Sequence, residues 1–115
     1  MILLADDDPL FLQRSESVLA RDEFVYFARD GQSVRELLVT IGADFTIVLV
    51  NAEMENGDGL ALIREIRGMA PDLPVIAIGG GDRAREAGAC EVVRKPLTSE
   101  WRGAIERARA AGLGR

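Results

Sequence analysis

Four places along the chain bring together side chains able to do polar chemistry. Asp6, Asp7 and Asp8 follow the apolar run Ile2–Ala5, and Asn51 closes a second run, Phe45–Val50. Three glycines, Gly79–Gly81, end a third run at Pro74–Ile78, and Lys95-Pro96 follows a fourth at Glu91–Arg94. Of the 14 basic residues, 13 are arginine and Lys95 is the single lysine, so its placement stands out from a background of arginine. If these points meet, they form a pocket of two or three carboxylates, one carboxamide, flexible glycine backbone and one ammonium. Paired carboxylates can hold a divalent cation, and an ammonium beside them can neutralise them or grip an anion. A carboxamide is a poor nucleophile.

The elements must place these points together. Runs at Ile2–Ala5, Phe24–Ala28, Phe45–Val50, Pro74–Ile78 and Glu91–Arg94 read as strands, the middle ones apolar enough to be covered on both faces. Helical spacing separates them: Val34, Leu37, Leu38 and Ile41; Gly59, Leu62, Ile63 and Ile66; Trp101, Ala104, Ile105 and Ala108. In the first helix Phe11 pairs with Val18, and Leu12 with Leu19, at i+7. Asp8-Pro9 supplies a cap and first-turn proline, and Thr98 a cap for the last helix. Five strands alternating with helices predict an α/β, flavodoxin-like, doubly wound parallel sheet of order 2-1-3-4-5 in one domain spanning residues 1–115. Its site lies at the carboxyl ends of the strands, at the switch point between strands one and three. Only Gly79–Cys90 are available for the fourth crossover, so the fourth helix is shortened to a turn or two around Arg83–Ala87, or absent.

Composition excludes several classes. The chain has 115 residues, 48% of them hydrophobic, as expected of one compact domain. With no histidine and one cysteine, Ser-His-Asp and Cys-His catalysis, a phosphohistidine relay, the usual zinc sites and an internal disulfide are all ruled out. A net charge of −5 argues against nucleic-acid or anionic-membrane binding. Four apolar residues between Met1 and Asp6 make neither a signal peptide nor a membrane span, and the expected location is cytoplasmic.

The opening Ile2–Leu10, the segment Val48–Leu60 with its Asp58-Gly59, the run Pro74–Gly79 and the stretch Gly88–Pro96 together resemble the receiver domain (CheY-like) of two-component response regulators. The resemblance covers essentially the whole chain in the right order. It implies that Asp6 and Asp7 are the acidic pair that helps bind a divalent cation, and that Lys95-Pro96 is the family's lysine before a usually cis proline. It also implies that the positions handling phosphate are altered here. The phosphoacceptor aspartate falls on Asn51, the hydroxyl residue on Gly79, the aromatic switch on Val92 and the proline after the acceptor on Glu55. Asp8 is then the helix cap.

On this resemblance the chain is an atypical pseudo-receiver with no enzymatic activity. It acts in two-component, phosphorelay-type signalling by phosphorylation-independent protein–protein interaction. Lys95 is expected to pair with Asp6 or Asp7, leaving a metal-free pocket and no cofactor; weak Mg²⁺ binding by Asp6, Asp7 and Asn51 is the alternative. Glu53, two residues after Asn51, is expected to be solvated, with a reach to the pocket rim as the alternative. The expected partner is a signalling protein, or a second copy of the chain, on the strand five–helix five face, with Val92 and Arg102 in the contact. The shortened fourth helix is expected to bare apolar residues there. Arg102, Arg107, Arg109 and Arg115 make the last helix basic, a solvated face or a contact for an acidic partner. Cys90 reads as a small core residue, Trp101 as the anchor of the last helix, and Ala110–Arg115 as a fraying end.

Two other readings stay open. A receiver could use another acceptor, such as Asp7 or Glu53. The Asp6-x-Asp8 pair also resembles the nucleophile and acid/base pair of haloacid dehalogenase-like phosphatases, although Pro9-Leu10 follows and no cap domain fits.

Overall fold

The structure is a computed structural model that describes residues 1–21, 23–55 and 58–113. Strands β1 (Ile2–Ala5), β2 (Val25–Ala28), β3 (Ile47–Asn51), β4 (Val75–Ile78) and β5 (Glu91–Val93) form one parallel sheet in the order β2-β1-β3-β4-β5. Helices α1 (Pro9–Leu19), α2 (Gly31–Ile41), α3 (Gly59–Met69), α4 (Gly81–Ala87) and α5 (Ser99–Leu113) connect or follow them, with a 3₁₀ turn at Gly42–Asp44. This is the doubly wound flavodoxin-like arrangement that the alternating periods predict.

Strand alternation divides the core in two. Leu3, Ala5, Val48, Val50, Val75 and Ala77 face a layer built by Val34, Leu62, Ile63, Ile66, Ala84 and Ala87. Ile2, Leu4, Ile47, Leu49, Ile76 and Ile78 face Phe11, Leu12, Trp101, Ala104, Ile105 and Ala108 on the other side. Every residue of β1, β3 and β4 is buried, because both faces are covered. Asp8 caps α1 by accepting from the backbone N–H of Leu10 (3.0 Å) and Phe11 (3.3 Å), and Thr98 Oγ1 accepts from Glu100 N–H at 3.3 Å.

The fourth crossover is made by a helix of seven residues, short as the spacing requires. It can be short because small residues bring it close: Ala84 and Ala87 are buried, and a Cβ on Gly80 would lie 2.8 Å from Ala52 Cβ. Gly80 (φ 86°) and Gly88 (φ 125°) turn the chain at its two ends, in left-handed backbone that suits glycine.

Several local expectations are corrected. Cys90 is exposed, its thiol donating to Val75 O at 3.4 Å; it packs at the lip of β4 rather than in the core. Val18 is 42% exposed while its neighbour Leu19 packs against the core, and Phe24 precedes β2 and is 77% exposed. Ala110–Leu113 stay helical, whereas Gly114 and Arg115 lie outside the described residues. No large apolar side chain of residues 81–87, 91–93 or 99–111 is exposed, so the expected bare patch is not formed there. Ala84, Ala87 and Ala89 close that side, and Val92 packs half-buried against them.

Candidate functional site

The register puts the polar residues at one edge. Ala5 pairs with Val50, and Asn51 with Ile78, so Asp6 and Gly79 continue beside Asn51 at the carboxyl ends. Asp6 N–H donates to Ala28 O and Gly79 N–H to Val93 O (2.8 Å), which draws β5 and its following Arg94-Lys95 to the same rim. The Lys95–Pro96 peptide is cis.

Asp6 is fully buried. Its Oδ1 accepts from Asp8 N–H at 3.0 Å, and its Oδ2 faces Lys95 Nζ at 2.9 Å. Lys95 is also 4.0 Å from Asp8 Oδ2 and lies 4.2 Å from the centre of the Phe11 ring. The lysine thus chooses Asp6 over Asp7, and a ring from α1 supports it. No spacing rule announces Phe11 as a site residue; its helical stripe marks it only as core. Asp7 is half-buried, and its Oδ2 accepts from Glu55 N–H at 2.8 Å, tying the loop after β3 to the end of β1. Asn51 is 7% exposed and its Oδ1 accepts from Glu53 N–H at 2.8 Å, a local turn that occupies the carboxamide oxygen.

Gly59 makes this packing feasible. A Cβ there would overlap Asn51 O and lie 2.7 Å from Ala52 Cα, so α3 can approach the loop only with glycine at its first turn. Beside the loop a cleft of about 680 Å³ is lined by Asn51, Glu53, Gly79, Val92, Arg94 and Lys95, among others. Glu53 is exposed, as expected, but it also reaches into this cleft. A Cβ on Gly79 would overlap its Oε1 and lie 3.0 Å from its Cδ.

A divalent cation needs several oxygen ligands, more than one usually charged. Here Asp6 is committed to Lys95, the Asn51 oxygen to Glu53 N–H and one Asp7 oxygen to Glu55 N–H. Among the described residues no group of three His, Cys, Asp or Glu comes together to hold a metal.

On α5, Arg107 donates to Glu91 of β5 at 2.8 Å, and Arg109 donates to Glu23, just ahead of β2, through both terminal nitrogens. Two of the arginines expected to make α5 basic are therefore neutralised within the chain, and Arg115 lies outside the described residues. Trp101 anchors α5 as expected: it is buried, donates from Nε1 to Arg94 O at 2.9 Å and packs on Phe11. No helix among the described residues is long and apolar enough to cross a membrane.

Residues 2–101 match the response regulator receiver domain family. The C4-dicarboxylate transport transcriptional regulatory protein DctD of Rhizobium meliloti is 33% identical over 106 residues, covering 86% of this chain and 23% of that protein. Protein PetR of Rhodobacter capsulatus is 33% identical over 102 residues, 84% of this chain and 42% of that one. The chain thus spans less than half the length of either relative. Among solved structures, a response regulator receiver domain protein from Clostridium thermocellum superposes with a TM-score of 0.85 at 27% identity, over 96% of this chain and 94% of the other.

Proposed function

The chain belongs to the response regulator receiver domain family, and from that membership we propose that it is a receiver signalling by protein contact without accepting a phosphoryl group. The observation that carries this reading is Asn51, a carboxamide at the carboxyl end of β3 where the family resemblance calls for the acceptor carboxylate. An amide oxygen carries no charge and forms no stable acyl phosphate. Two neighbours support the same reading: Gly79 offers no hydroxyl to hold phosphoryl oxygens, and Val92 has no ring to move. Lys95, paired with Asp6, takes the neutralising role that a cation would otherwise fill.

The partner is proposed to be a protein of the same signalling class, or a second copy of this chain, on the β5–α5 face with Val92 and Arg102 in the contact. Because the Glu91–Arg107 pair lies on that face, the contact is polar rather than an apolar patch.

The test is incubation with acetyl phosphate and Mg²⁺ followed by intact mass. The expected result is an unmodified chain, with at most slight modification of Asn51→Asp because Gly79 and Val92 remain. A phosphoryl adduct on the wild-type chain overturns the proposal, whether it sits on Asp7, Glu53 or elsewhere.

A further inference from the structure

We propose that the Glu53 carboxylate is the cleft's resident anion, seated against Gly79 in the space a side chain would occupy, and that it shuts out free phosphate and other small oxyanions. The proposal goes beyond the absence of phosphorylation, because it concerns what the cleft can bind reversibly.

Three observations carry it. The first is steric. A Cβ at Gly79 would overlap Glu53 Oε1, lie 3.0 Å from Cδ and lie 3.5 Å from Cγ, so the whole end of the glutamate covers that glycine. The glycine at 79 thus leaves open the space in which the end of the exposed glutamate lies. The second is the anchoring of the glutamate backbone. Glu53 N–H donates to Asn51 Oδ1 at 2.8 Å, so the carboxamide that replaces a charged group also fixes the segment bearing the new charge. The third is the charge of the wall. The cleft is about 680 Å³, roomy enough for a small anion, and among the described residues its charged lining consists of Glu53, Arg94 and Lys95. Without Glu53 the lining carries Arg94 and the Asp6-paired Lys95 and no carboxylate, a field that favours oxyanions chiefly through Arg94; with it, a carboxylate opposes that field.

Titration of inorganic phosphate at constant ionic strength, followed by the backbone amide resonances of Gly79–Gly81, tests this. Inorganic phosphate has no acyl bond to transfer, so the result is independent of whether the chain can be phosphorylated covalently. Wild type is expected to show no saturable shift. Glu53→Ala should bind with an affinity at least about tenfold higher, a change of about 1.4 kcal/mol. Glu53→Gln, which keeps the volume and loses the charge, should gain binding as well but less. Phosphate binding by wild type as tight as by the variants overturns the proposal, and so does a failure of either variant to gain. A second measurement checks the seat itself. Gly79→Ser carries the strain of φ 77° in any background, but the collision with Glu53 only in the wild-type one. Its fall in Tm should therefore be smaller in Glu53→Ala than in wild type, and equal falls would overturn the contact.

Discussion

Replacing Lys95 with methionine isolates the pair that holds the site together. Methionine keeps an apolar stem against Phe11 and removes the ammonium 2.9 Å from Asp6 Oδ2. At that distance, and at the effective dielectric that suits protein sites, the attraction is of order 6 kcal/mol before desolvation is charged against it. Asp6 is fully buried and its Oδ2 has no hydrogen-bond partner among the described residues, so the ammonium is its main compensation. Breaking a buried pair from one side costs about 3–5 kcal/mol. Lys95 is 35% exposed, so water can replace part of its effect, and the expected loss falls to about 2–3 kcal/mol. For a domain of this size that is a fall in Tm of roughly 10 °C. The partner variant Asp6→Asn removes the buried charge, and Asp6/Lys95 should then couple by about 1–2 kcal/mol in a double-mutant cycle read by urea unfolding. The double variant should be more stable than Lys95→Met alone. A Lys95→Met chain within about 0.5 kcal/mol of wild type, or strictly additive losses, would refute the claim that lysine neutralises this pocket.

Gly59→Ala should cost about 2–3 kcal/mol, since the added methyl meets Asn51 O and Ala52 Cα rather than a flexible side chain; a urea midpoint within error of wild type would contradict the close approach of α3. The Arg109 guanidinium, by hydrogen bonding to Glu23, holds that carboxyl below its ordinary value of 4.5. A depressed folded-state value means that the stabilisation is complete above about pH 4.5 and is lost as pH falls through the lower folded value. The stability difference between wild type and Glu23→Gln should therefore be constant from pH 7 to 5 and shrink toward pH 3, and a difference independent of pH would remove the pair from the acid limb of the curve.

The sheet order and both core layers were legible because apolar residues repeat with periods of 2 and 3.6, and because buried parallel strands read as continuous runs. Leu62, Ile63 and Ile66, and Trp101, Ala104 and Ile105, are all buried on their helices as that spacing requires. The short α4 was legible from arithmetic alone, since twelve residues cannot hold a full helix and two loops. What the sequence could not show was what each polar group would face. Cys90 reads as core by type, but its exposure depends on the turn after α4. The expected bare patch on β5 and α5 failed because it assumed that a shorter helix covers less. Two buried alanines let that helix lie closer, and close approach has no hydrophobic signature. The Lys95–Phe11 contact and the seating of Glu53 on Gly79 join segments 84 and 26 positions apart, where local pattern carries no information.

Charge bookkeeping at the strand ends explains why these features occur together. Asp6, Asp7 and Lys95 carry −1, −1 and +1, leaving −1 with Asn51 neutral, whereas an aspartate at position 51 would bring the same group to −2. Like carboxylates gathered in a partly buried pocket repel one another strongly enough to demand a cation or a proton. A carboxamide at 51 removes that demand, so one lysine suffices and can be drawn fully onto Asp6. Lys95, though it still lines the adjoining cleft, has its charge engaged by Asp6, and glycine at 79 leaves room for Glu53. Reversing only the first step should accordingly leave the rest in place: Asn51→Asp restores a carboxylate but faces Glu53 across the same cleft, and the charge that it adds is expected to destabilise the chain in the absence of divalent cation.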